Sequence, residues 1–208
     1  MTWDDRSLLD GCDAADLAGP SGLLAGADTG SWSVERRDAA LLDLRATRFG
    51  GNLGVIAACP ACGERIEATL PVAAVRPVAG PLEAGGRTFR SPALDAVRAA
   101  AMCADPAEAR ALLTVRCLVS GDATGAEEAF AAALAATERL VGLACPACEA
   151  TWEAPFDAGA FVLAEVRAEA ARILDEVHEL ALAYGWTEAD VLALSPRRRS
   201  SYLRLVRR

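Results

Sequence analysis

The sequence contains no lysine, a single histidine and no apolar run approaching the roughly 20 residues needed to cross a bilayer. The last absence removes a membrane-spanning helix. Residues 1–24 carry acidic groups where a secretory signal would have a basic start and an apolar middle, so a cytoplasmic location is expected. The histidine, His178, has Asp175, Glu176 and Glu179 near it in sequence and reads as a surface or boundary residue, not a catalytic one. No phosphate-binding glycine loop, nucleophile elbow or recognisable carboxylate pair is present, and the expectation is a protein that is not an enzyme. The exclusive use of arginine as the basic residue reads as GC-rich coding bias, without functional content.

What is present is ordinary for a globular chain: 208 residues, 53 % hydrophobic and 24 % charged, enough to bury a core without disulfides. Charge is unevenly placed. Six arginines (197, 198, 199, 204, 207 and 208) fall in the last twelve residues, and removing them from the formal charge of −8 leaves about −14 on the rest. Such a body repels nucleic acid and leaves the basic end as the candidate for touching it.

Cysteine usage is the most specific signal. Four of seven cysteines lie in two copies of the tetrapeptide Cys-Pro-Ala-Cys, Cys59–Cys62 and Cys145–Cys148, separated by 82 residues. In a reducing compartment paired cysteines point to metal before disulfide. Each Cys-x-x-Cys turn offers two thiolates to one tetrahedral ion, and two turns supply the four soft ligands of a structural zinc site. Proline narrows the backbone of each turn, and Gly63 can take the positive φ that a tight knuckle needs; Glu149 stands at the equivalent place in the second copy. Cys59, Cys62, Cys145 and Cys148 are therefore the expected ligands of one structural Zn2+, with free thiols, an iron–sulfur cluster or a redox pair as the alternatives. Cys12, Cys103 and Cys117 lack the spacing and read as small buried or half-buried residues.

Apolar or alternating segments flank each knuckle, 53–58 with 66–70 and 141–144 with 151–155, and predict two hairpins with a knuckle at each turn. Segments 72–78 and 88–90 suggest further strands. Ser33 can cap an amphipathic helix that Gly50-Gly51 ends. Ser91-Pro92, Asp105-Pro106 and Asp122 or Thr124 open helices over about 92–102, 106–118 and 125–140. A long helix runs from Asp157 to Gly185, Thr187 and Asp190 resemble a capping box, and Ser195-Pro196 opens a last helix. The expected fold is α+β and mostly helical: an N-terminal arm (1–32) with one short helix, a zinc-ribbon core (33–156) with a helical insert over about 91–140, and a C-terminal helical module (157–208) with an arginine-rich end.

The stretch Ile173–Leu194, with its Tyr184-Gly185-Trp186 turn and Thr187-Glu188-Ala189-Asp190-Val191-Leu192, followed by Arg197-Arg198-Arg199 and Tyr202, resembles a helical module of small proteins of contractile phage tails and related injection systems. Arg37-Asp38, Leu41-Leu42, Leu44-Arg45 and Phe49-Gly50 followed by the first knuckle and a helical insert are similar to the same group. The resemblance reaches from Arg37 to Leu203. It implies a baseplate-associated or tail-assembly protein without enzymatic activity, whose partners are protein subunits of the particle. Under it, Tyr184, Trp186, Arg197, Arg198, Arg199 and Tyr202 are the expected partner-binding residues. Read from the residues alone, Tyr184 and Trp186 can simply pack the last helices, and Arg197–Arg199 can be a solvated face, a site for an acidic partner or a nucleic-acid contact. The other functional class is a zinc-ribbon nucleic-acid adaptor using the arginine-rich end.

Overall fold

A computed structural model describes residues 3–24 and 26–207. The fold is α+β with small antiparallel sheets, and among the described residues no helix is long and apolar enough to cross a membrane. The chain divides into two compact units, Met1–Ala25 with Ala160–Arg208, and Gly26–Gly159. This differs from the expected arm, core and module, because the N-terminal segment packs with the C-terminal helices.

The central unit begins at α1, Val34–Phe49. The Ser33 side chain accepts from the Arg36 N–H at its start, and Gly50, at φ 85°, closes it. Leu41, Leu42 and Leu44 form its buried face. Strands β1 (Asn52–Ala58) and β2 (Arg65–Pro71) pair antiparallel from Asn52 opposite Pro71 to Ala58 opposite Arg65. Residues 72–78 do not continue as a strand: Val72–Val75 form a single helical turn, α2, between Pro71 and Pro77. Proline lacks the N–H that a sheet ladder uses, so strand pairing stops there despite the β-branched residues.

The insert has its own core. Strands β3 (Leu82–Ala84), β4 (Arg87–Phe89) and β5 (Leu118–Ser120) form a three-stranded sheet, joined by α3 (Leu94–Ala101), α4 (Pro106–Cys117) and α5 (Ala126–Ala135). Leu82, Phe89, Cys117, Ala126, Phe130 and Ala133 bury one another, with the Phe89 and Phe130 rings 5.2 Å apart. The last insert helix ends at Ala135, not 140, because Leu140 already belongs to β6 (Leu140–Ala144), paired with β7 (Thr151–Pro155).

In the other unit, α6 (Asp5–Ala18) is capped by Asp4 and buries Leu8 completely. The arm is therefore a packed helix. A 3-10 segment, Gly19–Leu23, folds back onto it so closely that a Cβ on Gly22 would lie 2.4 Å from backbone atoms of Ala14 and Ala15. The long helix α7 (Ala158–Tyr184) contributes Val162, Val166, Ile173 and Leu180 to the core. Thr187 and Asp190 form the anticipated capping box on α8 (Glu188–Leu192), and Ser195 caps α9 (Pro196–Val206) with Pro196 in its first turn.

Candidate metal centre

Each knuckle is built by its hairpin. In the first, the Cys59 N–H donates to the Glu64 carbonyl at 2.8 Å and the Gly63 N–H to the Cys59 carbonyl at 2.9 Å. In the second, the Cys145 N–H donates to the Ala150 carbonyl and the Glu149 N–H to the Cys145 carbonyl, both at 2.9 Å. The two turns are thus backbone copies of each other. Both pairings need a left-handed residue after the second cysteine: Gly63 has φ 77° and Glu149 φ 60°, the one non-glycine residue at positive φ among those described.

The hairpins belong to separate sheets and are brought together by an apolar cluster of Cys59, Ile66, Leu143 and Cys145, with Val141 and Trp152 packed against it. This places the four sulfurs within 4.8 Å of one another, with Cys59 to Cys148 and Cys62 to Cys145 each at 3.7 Å. A tetrahedron of sulfurs about 2.3 Å from a zinc ion has edges of about 3.8 Å, so the cross-hairpin separations fit a tetrahedral ion. Cys59 and Cys145 are buried, while Cys62 and Cys148 are exposed.

Four thiols this close cannot all ionise independently. The Cys62 N–H, aided by the Ala61 N–H and the neighbouring sulfurs, lowers Cys59 to about 7. For Cys62 the Glu64 N–H acts downward, but hydrogen bonds with Cys148 and Cys145 and desolvation carry it up to about 12. For Cys148 the Ala150 N–H and Cys62 also act downward, and desolvation with the Cys59 and Cys145 sulfurs overcomes them to leave it raised. Among these three Cys59 is the thiol that ionises most readily, and a divalent cation bound by all four sulfurs would displace the protons held by Cys62 and Cys148.

No known protein family, curated protein or solved structure matches the chain. The four expected ligands are brought together as a set that can coordinate a metal. Cys117 is buried in the insert core, where burial raises its thiol pKa against the opposing effect of Arg90; Cys12 and Cys103 are half-buried.

The remaining expected site residues lie at the C-terminal helices. Tyr184 and Trp186 stack with centroids 4.7 Å apart, and Tyr202 meets both edge-on, at 5.7 and 4.9 Å. The Tyr-Gly-Trp turn is thus an aromatic clasp onto α9. Arg197 and Arg198 are exposed, but Arg199 is not: its side chain is 1 % exposed, its Nε donates to Glu176 at 2.6 Å and its Nη2 to Asp5 at 2.5 Å. A guanidinium enclosed by two carboxylates of its own unit is an internal tie, which corrects its assignment to a partner surface. Arg207 is likewise bonded to Glu179, at 2.8 and 2.9 Å, and Arg208 lies outside the described residues. Asp5 and Glu176, as the anchors of Arg199, gave no sequence signal: Asp5 lies 194 residues from its partner.

Proposed function

We propose that Cys59, Cys62, Cys145 and Cys148 hold one structural zinc ion that fastens the two hairpins into a zinc ribbon, and that the chain is a non-enzymatic assembly component of a contractile, phage-tail-like particle, in its baseplate or hub region. The observation that carries the metal reading is the pair of 3.7 Å cross-hairpin sulfur separations, close to the edge of a zinc–thiolate tetrahedron. Four thiolates saturate the ion and leave no position for water or substrate, which supports a structural role. The particle is the contribution of the resemblance at Arg37–Phe49 and Ile173–Tyr202. The aromatic clasp supports it, because the resembling turn is an ordered feature packed on Tyr202 of α9.

The experiment is expression of a tagged chain together with contractile-tail genes, followed by sedimentation and subunit analysis. The chain is expected with sheath, tube or baseplate subunits at an assembly stage and with zinc bound; its absence from every assembly and intermediate would overturn the particle reading. The second reading, a nucleic-acid adaptor, is favoured by exposed Arg197 and Arg198. It requires affinity for oligonucleotides that falls steeply with salt.

A further inference from the structure

Helix α9 has two faces with different fates. Arg199 and Leu203 are buried, and Arg207 is tied to Glu179. Arg198, Ser201, Tyr202 and Leu205, spaced i, i+3, i+4 and i+7, share another face. There Leu205 is 54 % exposed and Tyr202 is half-buried beside Tyr184, itself 40 % exposed. Arg197 and Arg198 have no ion-pair partner among the described residues, whereas Arg204 lies on the opposite flank, where it lines a groove with Asp175, Glu179 and Arg207. In a chain of net charge −8, two cations left unpaired beside an apolar strip form a mixed surface.

We infer that this face of α9 is a docking surface for an acidic amphipathic helix of a partner protein, apolar side chains seated on Tyr202, Leu205 and Tyr184 and carboxylates meeting Arg197 and Arg198. Charge complementarity selects the partner's sign, and the apolar strip selects a protein over a phosphate backbone. The inference rests on the proposed assembly role only in taking the partner to be protein; it does not depend on the metal.

The test uses the full chain and three probes: a labelled synthetic helix with leucines at i, i+3, i+4 and i+7 and glutamates on its flanks, the same helix with lysines replacing the glutamates, and a 20-nucleotide oligo-dT. The acidic helix is expected to bind at least tenfold more tightly than the other two. Its affinity should fall at least tenfold in the double variant R197E/R198E, mainly through a slower association that loses its salt dependence, and at least tenfold in L205S through faster dissociation. Circular dichroism and zinc content should be unchanged in both variants, since the altered side chains are on the exposed face. Tighter binding of oligo-dT, equal binding of the two helices, no binding of the acidic helix, or a self-associated chain that the double variant renders monomeric would each overturn the inference. Failure here with zinc retained leaves the metal reading intact, and loss of zinc in unaltered protein strikes that reading alone.

Discussion

Glu149 holds in the second knuckle the backbone position that Gly63 holds in the first: each donates its N–H to the carbonyl of the leading cysteine at 2.9 Å, and each does so at positive φ. For glycine this conformation is unstrained. For glutamate the Cβ crowds the following carbonyl at a cost of about 1–2 kcal/mol, offset by the lower entropy loss of a non-glycine residue. Glu149→Gly should stabilise the protein by about 1 kcal/mol in denaturant unfolding, and Gly63→Ala should destabilise it by a similar amount. Glu149 is exposed, so the substitution removes no buried contact. A neutral or destabilising Glu149→Gly would show that the left-handed turn carries no strain.

Arg199 tests the packing of the N-terminal helix. Removing it leaves the Asp5 and Glu176 carboxylates, 9 % and 12 % exposed, without their shared cation. Arg199→Ala should cost about 3 kcal/mol or more, whereas Arg197→Ala, on the solvent side of the same helix, should change stability by under about 0.5 kcal/mol. Equal small effects from both would return Arg199 to the solvated tail.

Much of the central architecture was legible before the structure. Both hairpins and both knuckles follow from short alternating segments around a repeated tetrapeptide, and the caps at Ser33, Asp105, Thr187 and Ser195 are local devices that a sequence states directly. The rest depends on distant partners. Residues 5–18 carry acidic side chains and few large apolar ones, so nothing local reports that Leu8 is completely buried or that Asp5 meets Arg199. The same contact removes Arg199 from the surface that a run of three arginines suggests. At 72–75, β-branched residues favour a strand but two prolines bracket too short a segment, and a helical turn results.

Gly22 is required by proximity, not by dihedral freedom. Its missing side chain lets the 3-10 segment lie against α6, where a Cβ would sit 2.4 Å from backbone atoms. Since backbone cannot yield as a side-chain tip can, Gly22→Ala should destabilise by about 1–3 kcal/mol, measured by thermal unfolding. An unchanged transition temperature would contradict the close packing of these two segments.

Metal binding should be steeply pH-dependent. The ion takes thiolates, while Cys62 at about 12 and Cys148 above its ordinary value hold their protons at neutral pH. Coordination by all four sulfurs then releases at least two protons at pH 7.5, and apparent affinity rises by at least about 100-fold per pH unit across neutrality, because each displaced proton contributes about tenfold. Below about 7 the Cys59 proton joins them and the slope steepens. Calorimetry in buffers of different ionisation enthalpy counts the protons. Release of fewer than two would mean that the ion is not held by the full set of thiolates.

One ion fastening two hairpins is tested most directly by elemental analysis of protein purified without chelator. One zinc per chain is expected, lost in Cys59→Ser and in Cys145→Ser together with the folded state, and retained in Cys12→Ser. Well-folded protein containing no metal, with the four thiols free or joined as disulfides, would contradict it.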